Sequence, residues 1–378
     1  MTLKEEFIKL GYTEEDYEII RNNYAVNHIK DETLIKKLKD NFAFLLKMGY
    51  TKEEVIKMTK SLPAIYSYSI ENMKQKIEDI ISLGYTKEEV VKMTKTLPSI
   101  YGYSIESMKQ KIEDIISLGY TKEEVIKMTK ILTSIYGLSI ESIKQKIEDM
   151  ITLGYTKEEV IKMTKSFPPI YSCSIENIKQ KIEDMITLGY TKEEIIKMTK
   201  SFTPIYGLSI ENMKQKIEDM ITLGYTKEEV IKMTKSLPSI YGYSIESMKQ
   251  KIDDMITLGY TKEEVIKMTK SSPSIYSCSI ESMKQKIEDI ISLGYTKEEV
   301  IRMTKNFPSI YGLSIESMKQ KIEDIISLGY TKEEVIKMTK ILPSIYGLSI
   351  ENMKQKIDFY DSIDMHELAV INPKQLMQ

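Results

Sequence analysis

The sequence contains no tryptophan, and histidine, cysteine and arginine occur only twice each. His28 and His366 are isolated from one another, so no histidine cluster exists to bind a metal or build a nucleophilic triad. Cys173 and Cys278 have neither a Cys-x-x-Cys partner nor a neighbouring histidine, which argues against zinc binding and thiol catalysis. They occupy the same position of a repeating unit, three units apart, too far for a disulfide in a stacked chain, so a reducing compartment is expected. With Arg21 and Arg302 as the only arginines, bidentate recognition of guanine has few candidates. Glycines fall singly and form no phosphate-cradling loop. Paired carboxylates such as Glu53 and Glu54 open helices, where acidic residues suit the helix N-terminus better than they suggest acid-base chemistry. No enzyme activity, metal or cofactor is expected. Uncharged apolar runs of the roughly 18 residues that cross a bilayer are missing, so no membrane association is expected. The first residues resemble neither a signal peptide nor an Arg-rich transit peptide. A soluble cytoplasmic monomer is the expectation, with export as an effector left open.

What the sequence has in abundance is repetition. Gly-Tyr-Thr recurs at Gly49, Gly84, Gly119, Gly154, Gly189, Gly224, Gly259, Gly294 and Gly329, a strict spacing of 35. Nine tandem repeats therefore fill residues 49–363, after a diverged N-terminal capping repeat (1–48) and before a partial C-terminal one (364–378), where Ile371-Asn372-Pro373 echoes Ile341-Leu342-Pro343. In the second repeat, Gly84 suits a left-handed helix end, and Thr86 with Glu89 makes a Thr-x-x-Glu capping box. Val90, Met93 and Leu97 give one apolar face, and Pro98 ends the helix. Ser99-Ile100-Tyr101 allows one short helical turn. Ser104 caps a longer helix whose apolar stripe is Ile105, Met108, Ile112, Ile115 and Ile116. The predicted fold is all-α: a solenoid, or superhelix, of 35-residue helical repeats, each with two helices plus a short third helical turn. No helix can bury its stripe alone, so neighbouring repeats must share one core.

The arrangement Leu83-Gly84-Tyr85-Thr86-x-Glu88-Glu89-Val90, then Leu97-Pro98-Ser99-Ile100-Tyr101, then Ser104 and a long helix, resembles the repeat of the mitochondrial transcription termination factor (mTERF) family. The likeness covers the nine repeats and, more weakly, both caps. It implies a curved helical solenoid holding nucleic acid in a basic groove, usually double-stranded DNA and sometimes RNA.

Comparing the repeats with one another separates frame from variation. The two residues before the serine cap change most: Ser67-Tyr68, Gly102-Tyr103, Gly137-Leu138, Ser172-Cys173, Gly207-Leu208, Gly242-Tyr243, Ser277-Cys278, Gly312-Leu313 and Gly347-Leu348. Four residues beyond each pair is a two-letter site: Asn72, Ser107, Ser142, Asn177, Asn212, Ser247, Ser282, Ser317 and Asn352. Another four on is always lysine: Lys76, Lys111, Lys146, Lys181, Lys216, Lys251, Lys286, Lys321 and Lys356. The i, i+4 spacing puts the last two on one helix face. Tyrosine can stack on a base, asparagine and serine can bond base edges, and lysine can neutralise phosphate. The expected partner is therefore nucleic acid, DNA before RNA, read by one repeat per nucleotide or base pair. Three other readings stay open: variation copied by tandem duplication, packing between helices, and a protein-binding scaffold, which the net charge of −2 favours.

Overall fold

The computed structural model describes residues 2–351, 353–355 and 370–373. The chain divides into two compact units, Met1–Lys179 and Gln180–Gln378. Both are built from the same stacked repeat, and the fold is an all-α helical-repeat solenoid.

The second repeat shows how local chemistry sets the elements. Thr86 Oγ1 accepts from Glu89 N at 3.2 Å while Thr86 N donates to the Glu89 carboxylate at 2.8 Å, closing the expected capping box. The first helix, Lys87–Thr96, buries Val90, Met93 and Thr94 and ends at Leu97, whose non-helical backbone (φ −135°, ψ 79°) leads into the proline. Pro98 opens a 3₁₀ turn, Pro98–Gly102, that buries Ile100 and Tyr101. A proline at the first position loses no helical hydrogen bond. It is not essential, because Thr133 and Thr203 stand at this position in two repeats and head the same turn. Ser104 Oγ then accepts from Ser107 N at 3.0 Å, opening the long helix Ile105–Ile116.

One detail of the expected stripe is corrected. Met108, Ile112 and Ile115 are buried, but Ile116 is 37% exposed and Ile105 only half-buried. Leu118, beyond the helix, completes the core instead. An isoleucine one residue past a buried one is turned about 100° around the helix, and the core face is too narrow to include it.

Within each unit the repeats form two layers. First helices pack on first helices, as Lys122–Ile131 does on Lys157–Ser166 and Lys227–Ser236 on Lys262–Ser271. Long helices pack on long helices, as Ile70–Ser82 does on Ile105–Ile116 and Ile210–Leu223 on Ile245–Leu258.

Within each unit a chain of hydroxyls ties one repeat to the next. Tyr85 reaches into the following repeat, 2.5 Å from Thr129 Oγ1 and 2.6 Å from the Tyr136 hydroxyl. Thr129 donates its proton to the Val125 carbonyl at 2.9 Å, so it accepts from Tyr85, and Tyr85 in turn accepts from Tyr136. The N-terminal cap makes the same junction, with Tyr12 at 2.8 Å from both Thr59 and Tyr66. Its own loop is held by Arg21, which donates to the carbonyls of Val26, Asn27 and Ile29 and pairs with Asp31. The C-terminal cap expected at 364–378 lies mostly outside the described residues, although Val370 and Pro373 within it are buried.

Candidate nucleic-acid interface

The variable pair lies where the 3₁₀ turn hands the chain to the long helix. Its second residue is extended, as at Tyr103 (φ −75°, ψ 140°), and its N–H closes the turn on Ile100. The first member, Ser or Gly, is exposed in all nine repeats, and the second is half-buried in all nine. Half-burial has a visible cause in the tyrosine repeats. A Cβ added to Gly137 would lie 3.0 Å from the Tyr103 hydroxyl, and one added to Gly102 would lie 3.6 Å from that of Tyr68. Tyr68 and Tyr103 thus drape over the next repeat, where glycine makes room. In other repeats the neighbour is a phenylalanine ring, with Phe202 at 3.8 Å from the Cβ position of Gly242 and Phe307 at 3.7 Å from that of Gly347. Part of the variation is therefore packing between adjacent repeats.

Cys173 and Cys278 are free thiols whose sulfurs lie 3.7 Å from the carbonyls of Pro169 and Ser274. Burial raises the Cys278 thiol above its ordinary value, which keeps it protonated.

The two-letter site is the third residue of each long helix and is exposed from Asn72 to Ser317. Its two letters differ in what they leave for a ligand. Ser107 Oγ donates back to the Ser104 carbonyl at 2.9 Å, and Ser247, Ser282 and Ser317 do likewise. Asn72, Asn177 and Asn212 bond the cap through backbone N–H alone, leaving the side-chain amide open among the described residues. Asn352 lies outside the described residues.

The lysine row has a role that the sequence did not reveal. Lys76, Lys111 and Lys146 each donate to the carbonyl of the variable residue in the next repeat, at Tyr103, Leu138 and Cys173. Lys181, Lys216, Lys251 and Lys286 do the same to Leu208, Tyr243, Cys278 and Leu313, and Lys321 reaches Leu348 at 2.6 Å. Desolvation lowers the Lys181 and Lys216 ammonium groups below the usual lysine value. Lys356 lies outside the described residues. Each bonded ammonium keeps two further N–H groups, so the row both fastens repeats together and retains donors.

A second row escaped the sequence reading because it sits on the other helix. The last residue of the first helix is Ser61, Thr96, Ile131, Ser166, Ser201, Ser236, Ser271, Asn306 or Ile341, and it is exposed in every repeat. Four residues earlier on the same helix stands Lys57 or its equivalent, also exposed throughout. The repeat-to-repeat comparison contains this signal, but helix facing was needed to separate exposed change from packing change.

No curated protein matches this sequence. The mTERF family model matches it five times in overlapping register, at residues 28–118, 110–222, 153–257, 220–327 and 255–367. These matches run from the N-terminal cap through the last full repeat, and the chain belongs to the mTERF family.

Proposed function

We propose that this chain is a modular nucleic-acid-binding protein, taking double-stranded DNA in preference to RNA, with one repeat meeting one nucleotide or base pair. Proteins of the mTERF family are in general nucleic-acid-binding repeat proteins. The observation that carries the finer reading is positional. In each of the first eight repeats a half-buried residue of restricted identity and an exposed Asn or Ser sit together at the N-terminal end of the long helix. That end of a helix favours anions and offers side chains of stacking and hydrogen-bonding character. Lysines neutralise the backbone, those of the Lys76 row through the N–H groups left over from their carbonyl bonds. The protein acts as a cytoplasmic monomer without a cofactor.

Selection from random pools of double-stranded DNA, single-stranded DNA and RNA tests this directly. The expected result is a motif of about one position per repeat, with affinity falling steeply between ~50 and ~200 mM salt. Tyr103→Leu should then shift preference at one position of that motif and leave the helical content unchanged. Unaltered specificity would remove the reading role of the variable pair.

A protein-binding scaffold is the second reading, favoured by one observation. The long-helix layer exposes an isoleucine in each of the first eight repeats, including Ile81, Ile151, Ile221 and Ile291, at 36–42% exposure. Regularly spaced apolar contacts suit a protein partner. Binding that barely changes with salt would point there.

A further inference from the structure

The five lysines of a repeat are not equivalent, and their surroundings divide them. Lys111 is bonded to the next repeat's carbonyl. Lys95 is spent on an ion pair with Glu54 of the preceding repeat at 2.7 Å, and Lys130 repeats this with Glu89, Lys235 with Glu194 and Lys270 with Glu229. Lys92 has no acidic partner within 4.0 Å among the described residues, and its row is exposed in every repeat. The row is basic without exception, and it contains Arg302, the one arginine in the nine repeats.

Charge is also separated between the layers. In the second repeat the first helix carries Lys87, Lys92 and Lys95 against Glu88 and Glu89, while the long helix carries Lys109 and Lys111 against Glu106, Glu113 and Asp114. A chain that is almost neutral overall thus has a first-helix layer with an excess of positive charge and a long-helix layer with an excess of negative charge. The second glutamate of the first helix is engaged elsewhere. Glu89 is held by Thr86 and by Lys130, and these bonds keep its carboxyl below the usual range. Depressions of about 490 and 480 Å³ lie along this layer, the first beside Lys57, Ser61 and Thr96, the second beside Ile126 and Lys127.

We infer that the phosphate backbone is met chiefly by the first-helix row, Lys57 and its equivalents every 35 residues, and that the exposed residue four positions on, such as Ser61, Thr96 or Asn306, contacts the same ligand. This deepens the nucleic-acid reading and rests on it. The Lys76 row has a mainly structural part, fastening the end of one 3₁₀ turn to the preceding long helix. Unpaired, exposed ammonium groups on a positive layer release more counterions on binding than groups already bonded in a negative one.

The test compares two variants of the full chain with the unsubstituted protein. One carries Lys92→Gln, Lys127→Gln, Lys232→Gln and Lys267→Gln, and the other Lys111→Gln, Lys146→Gln, Lys251→Gln and Lys286→Gln. Binding is measured to a random-sequence DNA duplex and to a random-sequence single strand across a salt series, and thermal unfolding is followed by circular dichroism. The first variant should keep its thermal stability and lose affinity at least about tenfold at ~50 mM salt, with the log K against log salt slope shallower by up to ~0.9 per lysine removed. The second should unfold earlier and keep most of its salt slope. A Lys→Arg version of the first variant should restore binding. If the first variant keeps its slope while the second loses it, the inference is overturned and nucleic-acid binding stands. If the unsubstituted chain binds neither probe, the nucleic-acid reading falls and this inference with it.

Discussion

Tyr85 does three things that its place in a Gly-Tyr-Thr motif does not announce. It fills core volume at 3% exposure, donates to Thr129, and accepts from Tyr136, 51 residues further on. A local pattern can identify a tyrosine next to a capping threonine, but partners 44 and 51 residues away become visible only when stacking is known. The same limit hid the carbonyl partner of Lys111 and made Thr94, a polar residue on an apolar face, look incidental. It is fully buried, bonded to Val90 through its hydroxyl and met by Tyr50. Losing one hydroxyl strands the others in a dry site, so Tyr85→Phe should destabilise the junction by about 1–3 kcal/mol. Tyr136→Phe removes only the terminal donor and should cost less, and the double variant should fall short of the sum because one chain of bonds is being cut twice. Denaturant unfolding of the three variants checks this; strictly additive losses would show that the hydroxyls act independently.

At the scale of the element, the legible part was large. Capping box, helix end, turn and second cap were all visible in Gly84 to Ser104, because each depends on neighbours within four residues. The outward face of Ile116 and the tolerance of threonine at 133 and 203 were not, because both depend on how wide the shared core is and what the 3₁₀ turn packs against. The variable pair stands just before the long helix, but the half-burial of Tyr68 and Tyr103 involves the next repeat's glycine, which no single repeat displays. The repeat glycine makes a sharper prediction. Gly119 and Gly189 both have φ near +115° (115° and 112°), a backbone that disfavours any side chain. A Cβ at Gly189 would meet nothing within 4 Å, whereas one at Gly119 would lie 3.1 Å from Ile161 Cδ1. Gly189→Ala should therefore cost about 1–3 kcal/mol through the backbone alone. Gly119→Ala should cost that and a little more, as Ile161 must give way by a few tenths of an ångström. Thermal unfolding of the pair checks the order, and a neutral Gly189→Ala would mean that the turn relaxes to a conformation open to alanine.

Across the whole molecule, the recurrence of one junction turns a local shift into a collective pH response. Burial raises the phenols of Tyr85, Tyr120, Tyr190, Tyr260 and Tyr295 above their ordinary value, and their partners Tyr136, Tyr171, Tyr241, Tyr311 and Tyr346 are raised further by burial and by the adjacent tyrosine. An unfolded tyrosine releases its proton near pH ~10, while the folded ones hold theirs. The stability these groups contribute is thus fully present below pH ~10 and is lost as pH rises beyond it, by about 1.4 kcal/mol per pH unit for each buried phenol. With two such tyrosines at each junction, even a small rise should outrun the stability of a repeat, and its neighbours follow because each borrows its core from the next. Helix content and tyrosinate absorbance should consequently change together in one steep step above pH ~10. Replacing Tyr190 and Tyr241 by phenylalanine should weaken the fold at neutral pH and make the alkaline step shallower. Tyrosinate forming gradually around pH ~10 with the helices intact would mean that the junction phenols are open to solvent, and that the repeats are held together by packing and lysine contacts instead.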